Sequence, residues 1–219
     1  MGFSASKMGD FSSMSYEYDL FISYRTDCPT TIWMRNVFLV ELRRYLKPNR
    51  INELSIFDDE QIRVGSNWPQ LLYTKIAKSR LLLPILTPYY FGSNWCRKEL
   101  AIMLERQQLL GLCSSQNPQG LVIPIQLWDG HKYPKVLKDH VQLVDFVGLT
   151  DVRKGTVKWK EFQEKMKCLA KAIDEILNTV PPYDTRWTNI TGEKFELLLK
   201  VSEPSHYALP RLTTLGSID

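Results

Sequence analysis

Short apolar runs alternate along the chain with segments whose apolar residues recur at helical spacing. The short runs predict five β-strands, at 18–24, 54–57, 81–86, 121–127 and 141–147. The segments between them predict helices, one ending at Leu46 before Pro48, one over about 68–76, one over 94–110 and one over 157–177. The chain is therefore expected to alternate repeatedly between strand and helix.

This alternation favours an α/β fold in which helices cover both faces of a parallel sheet. Right-handed crossovers make such a sheet doubly wound, and we expect a flavodoxin-like five-stranded parallel sheet with the strand order 2-1-3-4-5. Ligands bind these sheets outside the carboxyl ends of the strands. Functional residues are therefore expected within 23–27, 58–65, 87–99 and 128–134.

The length of 219 residues fits one domain with short extensions. We predict a disordered segment at 1–15, a domain at 16–177 and a C-terminal extension at 178–219. Pro181 and Pro182 break the last predicted helix, and the extension is too short to form a core of its own. It is expected either to pack on the domain or to bind a partner.

Composition and charge narrow the function classes. The net charge of +4 is too small to predict direct binding to nucleic acid, and no run of about 18 apolar residues predicts a membrane span. The four cysteines are scattered without a CxxC pair, which favours free thiols in a reducing, cytoplasmic compartment. Neither zinc spacing nor a glycine-rich phosphate loop is present, so no metal site and no resident cofactor are predicted.

Three stretches resemble the signature motifs of TIR (Toll/interleukin-1 receptor) domains. They are Tyr-Asp-Leu-Phe-Ile-Ser-Tyr-Arg at 18–25, Phe-Asp-Asp-Glu-Gln-Ile-Arg-Val-Gly at 57–65, and Thr-Pro-Tyr-Tyr at 87–90 followed by Ser-Asn-Trp-Cys-Arg-Lys-Glu-Leu at 93–100. The second stretch resembles the second strand of the family with its BB loop. The resemblance covers about 16–177, is closest to bacterial and NADase-type TIR domains, and implies the TIR fold.

The resemblance implies a catalytic role for Glu99, which matches the NAD-cleaving glutamate of enzymatic TIR domains. Cleavage of the nicotinamide–ribose bond develops positive charge on the ribose, and a fixed carboxylate beside the sugar stabilises that charge. Trp95 precedes Glu99 by four residues, so the two side chains share one helix face. Trp95 is expected either to stack on nicotinamide or to belong to the core. For Glu99 itself the alternative is a solvated surface acid that pairs with Arg97 or Lys98.

Further substrate contacts follow from the same resemblance. The positions of Tyr24 and Arg25 line the substrate cleft in NADase-type relatives, and Arg25 is suited to bind a pyrophosphate with two hydrogen bonds. A salt bridge at the end of the strand is the equally open alternative for Arg25. Asp58 and Glu60 open the BB loop, where they contact either the ribose or a neighbouring subunit, unless they are merely solvated.

An aromatic residue after the fourth strand reaches the neighbouring subunit's site in enzymatic family members. Trp128 and Tyr133 are the two candidates here, with a slight preference for Trp128. Two departures weaken an animal receptor-signalling function. Val64 stands where receptor adaptors often carry a proline, and no Phe-Trp pair lies near the last helix.

Two functions from different classes follow from these features. The first is an NAD+ glycohydrolase or ADP-ribosyl cyclase with NAD+ as its substrate, activated by self-association through TIR–TIR contacts and serving bacterial antiphage or stress defence. Its partners include NAD+, further copies of the chain and, as an open alternative, a separate sensor or effector protein. The second is a non-catalytic module that signals through TIR–TIR contacts. Cleavage of another nucleotide is a weaker third alternative.

Overall fold

The computed structural model describes residues 15–46, 54–58, 68–129 and 133–200. In these residues five strands form one parallel sheet in the order β2-β1-β3-β4-β5. The strands are β1 (Tyr18–Ser23), β2 (Ile56–Phe57), β3 (Ser79–Leu86), β4 (Ile125–Gln126) and β5 (Val144–Asp145). The predicted fold class and strand order are confirmed.

Helices connect and cover these strands. They are α1 (Leu39–Leu46), α2 (Trp68–Ala77), α3 (Asn94–Leu109), α4 (Lys135–His140), α5 (Val157–Leu177) and α6 (Glu193–Leu199). A helical turn (Thr31–Trp33) and a π-helical turn (Met34–Phe38) run directly into α1, so the first helical segment begins earlier than its apolar stripe predicts. The segment α1 packs against α5 and α2 packs against α3, which is the two-sided cover expected of right-handed crossovers.

The core lies on both faces of the central strands. In β3 every residue except Arg80 is buried, as the apolar run predicts for a strand covered on both sides. Its neighbour β1 pairs Leu20 with Leu81 and Ser23 with Pro84. Burial of each such leucine contributes roughly 1.5–3 kcal/mol, so these two strands hold the edge on which the candidate site lies.

Four of the predicted strands are shorter in the structure, and the last two are shortened most. Of 121–127 only Ile125–Gln126 forms a regular ladder with β3, apart from a bridge between Val122 and Leu82. Pro124 on one strand and Pro84 on the other lack the N–H groups that would continue the ladder. Of 141–147 only Val144–Asp145 is paired, at the edge of the sheet. The six-residue helix α4 was not predicted because it is too short for a periodic signal.

The chain after α5 lies against α3. Helix α6 buries Phe195 and Leu199, and the N–H of Gly192 donates to Glu105 Oε2 at 2.8 Å. Positions 1–14 and 201–219 lie outside the described residues, so the predicted disordered segment is untested and the domain boundaries stay a prediction. Among the described helices, none is long and apolar enough to cross a membrane.

Candidate active site

Three chain segments meet where the central strands end. Strand β1 ends at Ser23, and the chain after β3 forms a 3₁₀ turn at Tyr90–Gly92 before α3 begins. Ser93 caps α3, since its Oγ accepts a hydrogen bond from the N–H of Cys96 at 3.4 Å. This cap directs the first turns of α3 across the carboxyl ends of β1 and β3, which brings Glu99 to the predicted edge.

Glu99 is an enclosed carboxylate and not a solvated surface acid. Its residue is only 5% exposed, and Ser23 Oγ donates a hydrogen bond to its Oε2 at 2.5 Å. A buried carboxylate requires such donors, because the loss of water is otherwise costly. The neighbours expected to pair with it point elsewhere: Arg97 bonds the carbonyl of Phe91 and the side chain of Asn94, and Lys98 Nζ lies over an aromatic ring.

Tyr90 extends this polar contact into the core. Its hydroxyl lies 2.8 Å from Ser23 Oγ and donates to the carbonyl oxygen of Cys96 at 3.0 Å. The residue is fully buried, and its ring packs edge-on against Phe91. Glu99, Ser23 and Tyr90 thus form a line of oxygen atoms that joins α3, β1 and the 3₁₀ turn.

Trp95 lies beside Glu99 and is half-buried. Its ring meets the ring of Tyr73 edge-on with centroids 6.3 Å apart, and Lys98 Nζ lies 5.4 Å from the Trp95 ring. A cavity of about 10 Å³ separates these side chains from Glu99. That volume holds at most one water molecule.

Tyr24 and Arg25 continue the chain beyond β1 and differ in exposure. Tyr24 is buried, and its hydroxyl accepts hydrogen bonds from Arg35 Nε at 3.2 Å and Nη2 at 3.1 Å. Arg25 is partly exposed and lies 3.9 Å from Asp27, a loose ion pair at the end of the strand. The guanidinium of Arg25 therefore remains accessible to a ligand at this edge, whereas the hydroxyl of Tyr24 is already engaged.

Asp58 begins the BB segment and is held by an ion pair. Its Oδ2 accepts a hydrogen bond from Arg43 Nη2 at 3.1 Å, and its side chain is nearly buried. It is therefore not a merely solvated loop acid. Glu60 lies outside the described residues, so its predicted role is untested.

The two aromatic residues after β4 have different environments. Trp128 is 48% exposed, whereas Tyr133 is 7% exposed and packs its ring against Phe91. The Tyr133 hydroxyl donates to the carbonyl oxygen of Leu86 at 3.1 Å, and burial raises the pKa of Tyr133 well above its usual value. Tyr133 is thus a core residue that supports the edge, and Trp128 is the aromatic that faces outward.

The arrangement offers no metal chemistry among the described residues, in which no cluster of His, Cys, Asp or Glu has the makeup of a metal site. It offers one enclosed carboxylate, a half-buried aromatic ring and an accessible guanidinium at one edge. Those are the groups required to stabilise a cationic sugar, stack on a planar base and bind an anionic linkage.

A family model described as TIR domain matches residues 20–158. This chain belongs to the TIR domain family. The matched region contains β1 from Leu20 onward, the ion-paired Asp58, the whole of α3 with Glu99, and Trp128. The resemblance that the three sequence motifs predicted is therefore confirmed.

Two curated plant proteins are similar to this TIR chain. Disease resistance-like protein DSC1 of Arabidopsis thaliana is 32% identical over 118 residues, which cover 54% of this chain and 8% of that protein. Disease resistance-like protein CSA1 of the same plant is 29% identical over 170 residues, which cover 74% of this chain and 13% of that protein. The chain thus spans only a small part of the length of these relatives.

One similar solved structure is the TIR domain of the Toll-related Receptor TRR-2 from the lower metazoan Hydra magnipapillata. It shares 22% identity and a TM-score of 0.44, with 68% of this chain and 98% of that chain covered. The two curated relatives come from a plant, and the closer likeness to bacterial TIR domains stays a prediction.

The structure adds residues that sequence reasoning missed. Ser23 lies in the first motif, but the motif by itself gives it no role. Its contact with Glu99 joins positions 76 residues apart, so no local sequence pattern predicts it. Tyr73, whose ring packs against Trp95, was missed because an aromatic residue on a helix carries no specific signal, and Lys98 lies over the Trp95 ring although a pair with Glu99 was the alternative.

Proposed function

We propose that this TIR domain cleaves the bond between nicotinamide and ribose in NAD+. The observation that carries the proposal is the enclosed carboxylate of Glu99, which Ser23 fixes beside the half-buried ring of Trp95. A carboxylate on an ordinary helix surface needs neither burial nor a buried donor. A carboxylate that must meet a developing cation gains from both, because a dry site strengthens the attraction.

In the proposed reaction the bond between the nicotinamide nitrogen and ribose C1′ breaks, and its electron pair leaves with nicotinamide. Glu99 stabilises the positive charge that develops on the sugar. Water then attacks C1′ and loses a proton, which yields ADP-ribose, or an adenine nitrogen attacks within the same molecule, which yields a cyclic product. Nicotinamide is a neutral leaving group, so the step requires no strong general acid.

The remaining candidates take supporting roles in this proposal. Trp95 stacks on nicotinamide once Lys98 has moved off its ring, and Arg25 binds the pyrophosphate. Tyr24 is buried under Arg35 and shapes the cleft from below. Asp58, tied to Arg43, fixes the start of the BB segment, where Glu60 follows as a proposed ribose or subunit contact.

We further propose that self-association opens and completes the site. The cavity next to Glu99 is too small for nicotinamide in the described residues of the single chain. Trp128 exposes 48% of its surface, although a large aromatic ring favours burial. A neighbouring copy would receive this ring, and a role in immune defence accords with the disease resistance-like relatives.

The test is incubation of the concentrated, crowded protein with NAD+ and chromatographic resolution of the products. Wild type is expected to release nicotinamide with ADP-ribose or its cyclic form, and Glu99→Gln is expected to lose about 10²–10³-fold in rate or more. Glu41→Gln is the matched control, since Glu41 is a similarly buried helical glutamate that pairs with Arg44 on α1. Absence of NAD+ loss in assembled wild type would leave the non-catalytic TIR–TIR module as the function.

A further inference from the structure

Ser23 and Tyr90 share a buried line of oxygen contacts with Glu99 that the proposed reaction does not itself require. Ser23 is 1% exposed and Tyr90 is fully buried, so water does not replace either contact. We propose that Ser23, supported by Tyr90, is a positioning residue that orients the Glu99 carboxylate for catalysis. This inference rests on the proposed function.

The first step of the argument is the number of protons. A carboxylate only accepts hydrogen bonds, so the single proton of the Ser23 hydroxyl points to Glu99 Oε2 at 2.5 Å. The Tyr90 hydroxyl lies 2.8 Å from Ser23 Oγ and 3.0 Å from the Cys96 carbonyl oxygen, so its one proton is shared between these two acceptors. A tyrosine proton shared with Ser23 Oγ favours the arrangement in which the serine keeps its own proton on Glu99.

The second step is the rigidity of the elements that carry these groups. Ser23 is the last residue of a central strand, and its backbone is in register with Pro84 of β3. Tyr90 opens the 3₁₀ turn and is held at a second point by the carbonyl oxygen of Cys96 at 3.0 Å. Groups on packed strands and helices are held in place more closely than groups on loops.

The third step is the charge around Glu99. Charged and titratable side chains lie on the described elements around it: Arg97 and Lys98 on α3, Tyr73 on α2, Tyr90 in the 3₁₀ turn, and Arg25 beyond β1. The lysine ammonium lies over the Trp95 and Tyr73 rings, and the two guanidinium groups bond other partners. The Ser23 hydroxyl donates to Glu99 Oε2, and a hydrogen bond to the ionised form of a carboxylate favours that form.

Removal of the Ser23 hydroxyl is therefore expected to shift the titration of Glu99 in one direction, to higher pH. Without the Ser23 hydroxyl the ionised carboxylate loses a hydrogen bond, while the protonated form loses less. In Ser23→Ala the acidic limb of the pH–rate profile is expected to move to higher pH by roughly one unit. Its kcat is expected to fall about tenfold with little change in KM, because the carboxylate acts on charge that develops only in the transition state.

The experiment follows the Glu99 carboxyl itself, by ¹³C NMR of glutamate-labelled full-length chain, with Glu99→Gln to assign its signal. The titration midpoint is expected to rise in Ser23→Ala and, by a smaller amount, in Tyr90→Phe, which removes one oxygen and keeps the ring. Ser79→Ala is the matched control, because Ser79 is an equally buried strand serine whose hydroxyl bonds the Lys75 carbonyl oxygen. The control is expected to leave the Glu99 midpoint unchanged.

The outcomes separate this inference from the proposed function. A midpoint that stays fixed in both Ser23→Ala and Tyr90→Phe overturns the positioning role, even if wild type cleaves NAD+. If the Glu99 midpoint rises in Ser23→Ala but wild type does not cleave NAD+, then Ser23 holds the carboxylate and the proposed reaction is wrong. If Ser23→Ala does not fold, Tyr90→Phe gives the deciding result.

Discussion

The two edges of the sheet hold their charged groups in different ways. At the carboxyl edge, the Glu99 carboxylate is held by the neutral hydroxyl of Ser23. At the amino edge, where the strands begin, Asp19 pairs with Arg80, and Glu17 pairs with Lys75 and Lys78. The carboxyl edge also contains the Asp58–Arg43 ion pair, so the difference between the two edges lies in the buried serine donor at Glu99. We propose that the amino edge serves stability and that the carboxyl edge serves the reaction proposed above.

Helix α3 links the two edges. Glu99 lies in its second turn at the carboxyl edge, and Arg106 lies in its last turn at the amino edge. Arg106 is only 1% exposed: it bonds the carbonyl of Ser79 at 2.8 Å and lies between the rings of Tyr16 and Trp187, each about 5 Å from its Cζ. The C-terminal extension therefore contributes to the amino edge through Trp187.

The largest expected effect on stability is that of Arg106→Ala. It removes the hydrogen bond to Ser79 and both ring contacts, and it leaves a cavity. The free energy of unfolding should fall by about 3 kcal/mol, measured by urea denaturation. Arg186→Ala is the control, because Arg186 lies at the exposed side of the same Trp187 ring. An equal loss of unfolding free energy in the two variants would contradict the stabilising role of the buried Arg106 contacts.

A smaller loss is expected at the junction of the extension with α3. Gly192 has φ of +75°, and a Cβ there would lie 2.7 Å from the Ile102 nitrogen and 2.9 Å from the Ala101 Cβ. Gly192→Ala should lower the free energy of unfolding by about 1–2 kcal/mol. Gly155→Ala is the matched control, since Gly155 also has positive φ but open space around its Cα. A smaller effect at 192 than at 155 would show that the extension does not pack closely.

Trp128 and Tyr133 test the carboxyl edge for its dependence on a second copy. Trp128→Ala should leave stability unchanged and lower NAD+ cleavage about tenfold at limiting protein concentration, equivalent to about 1.4 kcal/mol of lost contact. Tyr133→Phe should instead lower the free energy of unfolding, because it removes the hydrogen bond from the Tyr133 hydroxyl to the Leu86 carbonyl oxygen. The measurements are the unfolding midpoint and the concentration dependence of the rate. A rate of Trp128→Ala that matches wild type at every concentration would argue against the intersubunit role.

The smallest effect concerns pH and the amino edge. Burial raises the pKa of Glu17, but hydrogen bonds from Lys78 and Lys75 outweigh it, and the pKa lies below its usual value. A lowered pKa in the folded state adds stability above about pH 4.3, which is lost as pH falls through the folded pKa. Glu17→Gln should therefore cost less than about 1 kcal/mol at pH 7, and the cost should shrink as the pH falls through the folded pKa. A cost that stays constant as the pH is lowered would show that the pairing is not its cause.

The sequence predicts features that depend on residues close together in the chain better than features that depend on residues far apart. The sheet order and the bounds of α5 followed from local periodicity, and Glu99 followed from a motif within one helix. Arg106 could not be found in this way, because its burial depends on Tyr16 and Trp187, 90 and 81 residues away. Ser23 and Tyr90 lay within the motifs, but only the packing of β1 under α3 shows that they hold the carboxylate.

The most direct test of this division of roles is the rate of NAD+ cleavage per folded molecule in Glu99→Gln and Arg106→Ala, each compared with wild type under assembling conditions. Glu99→Gln should keep its unfolding midpoint and lose about 10²–10³-fold in rate. Arg106→Ala should lose stability while its folded fraction cleaves NAD+ within about threefold of wild type. A Glu99→Gln variant that cleaves NAD+ at the wild-type rate would contradict the account.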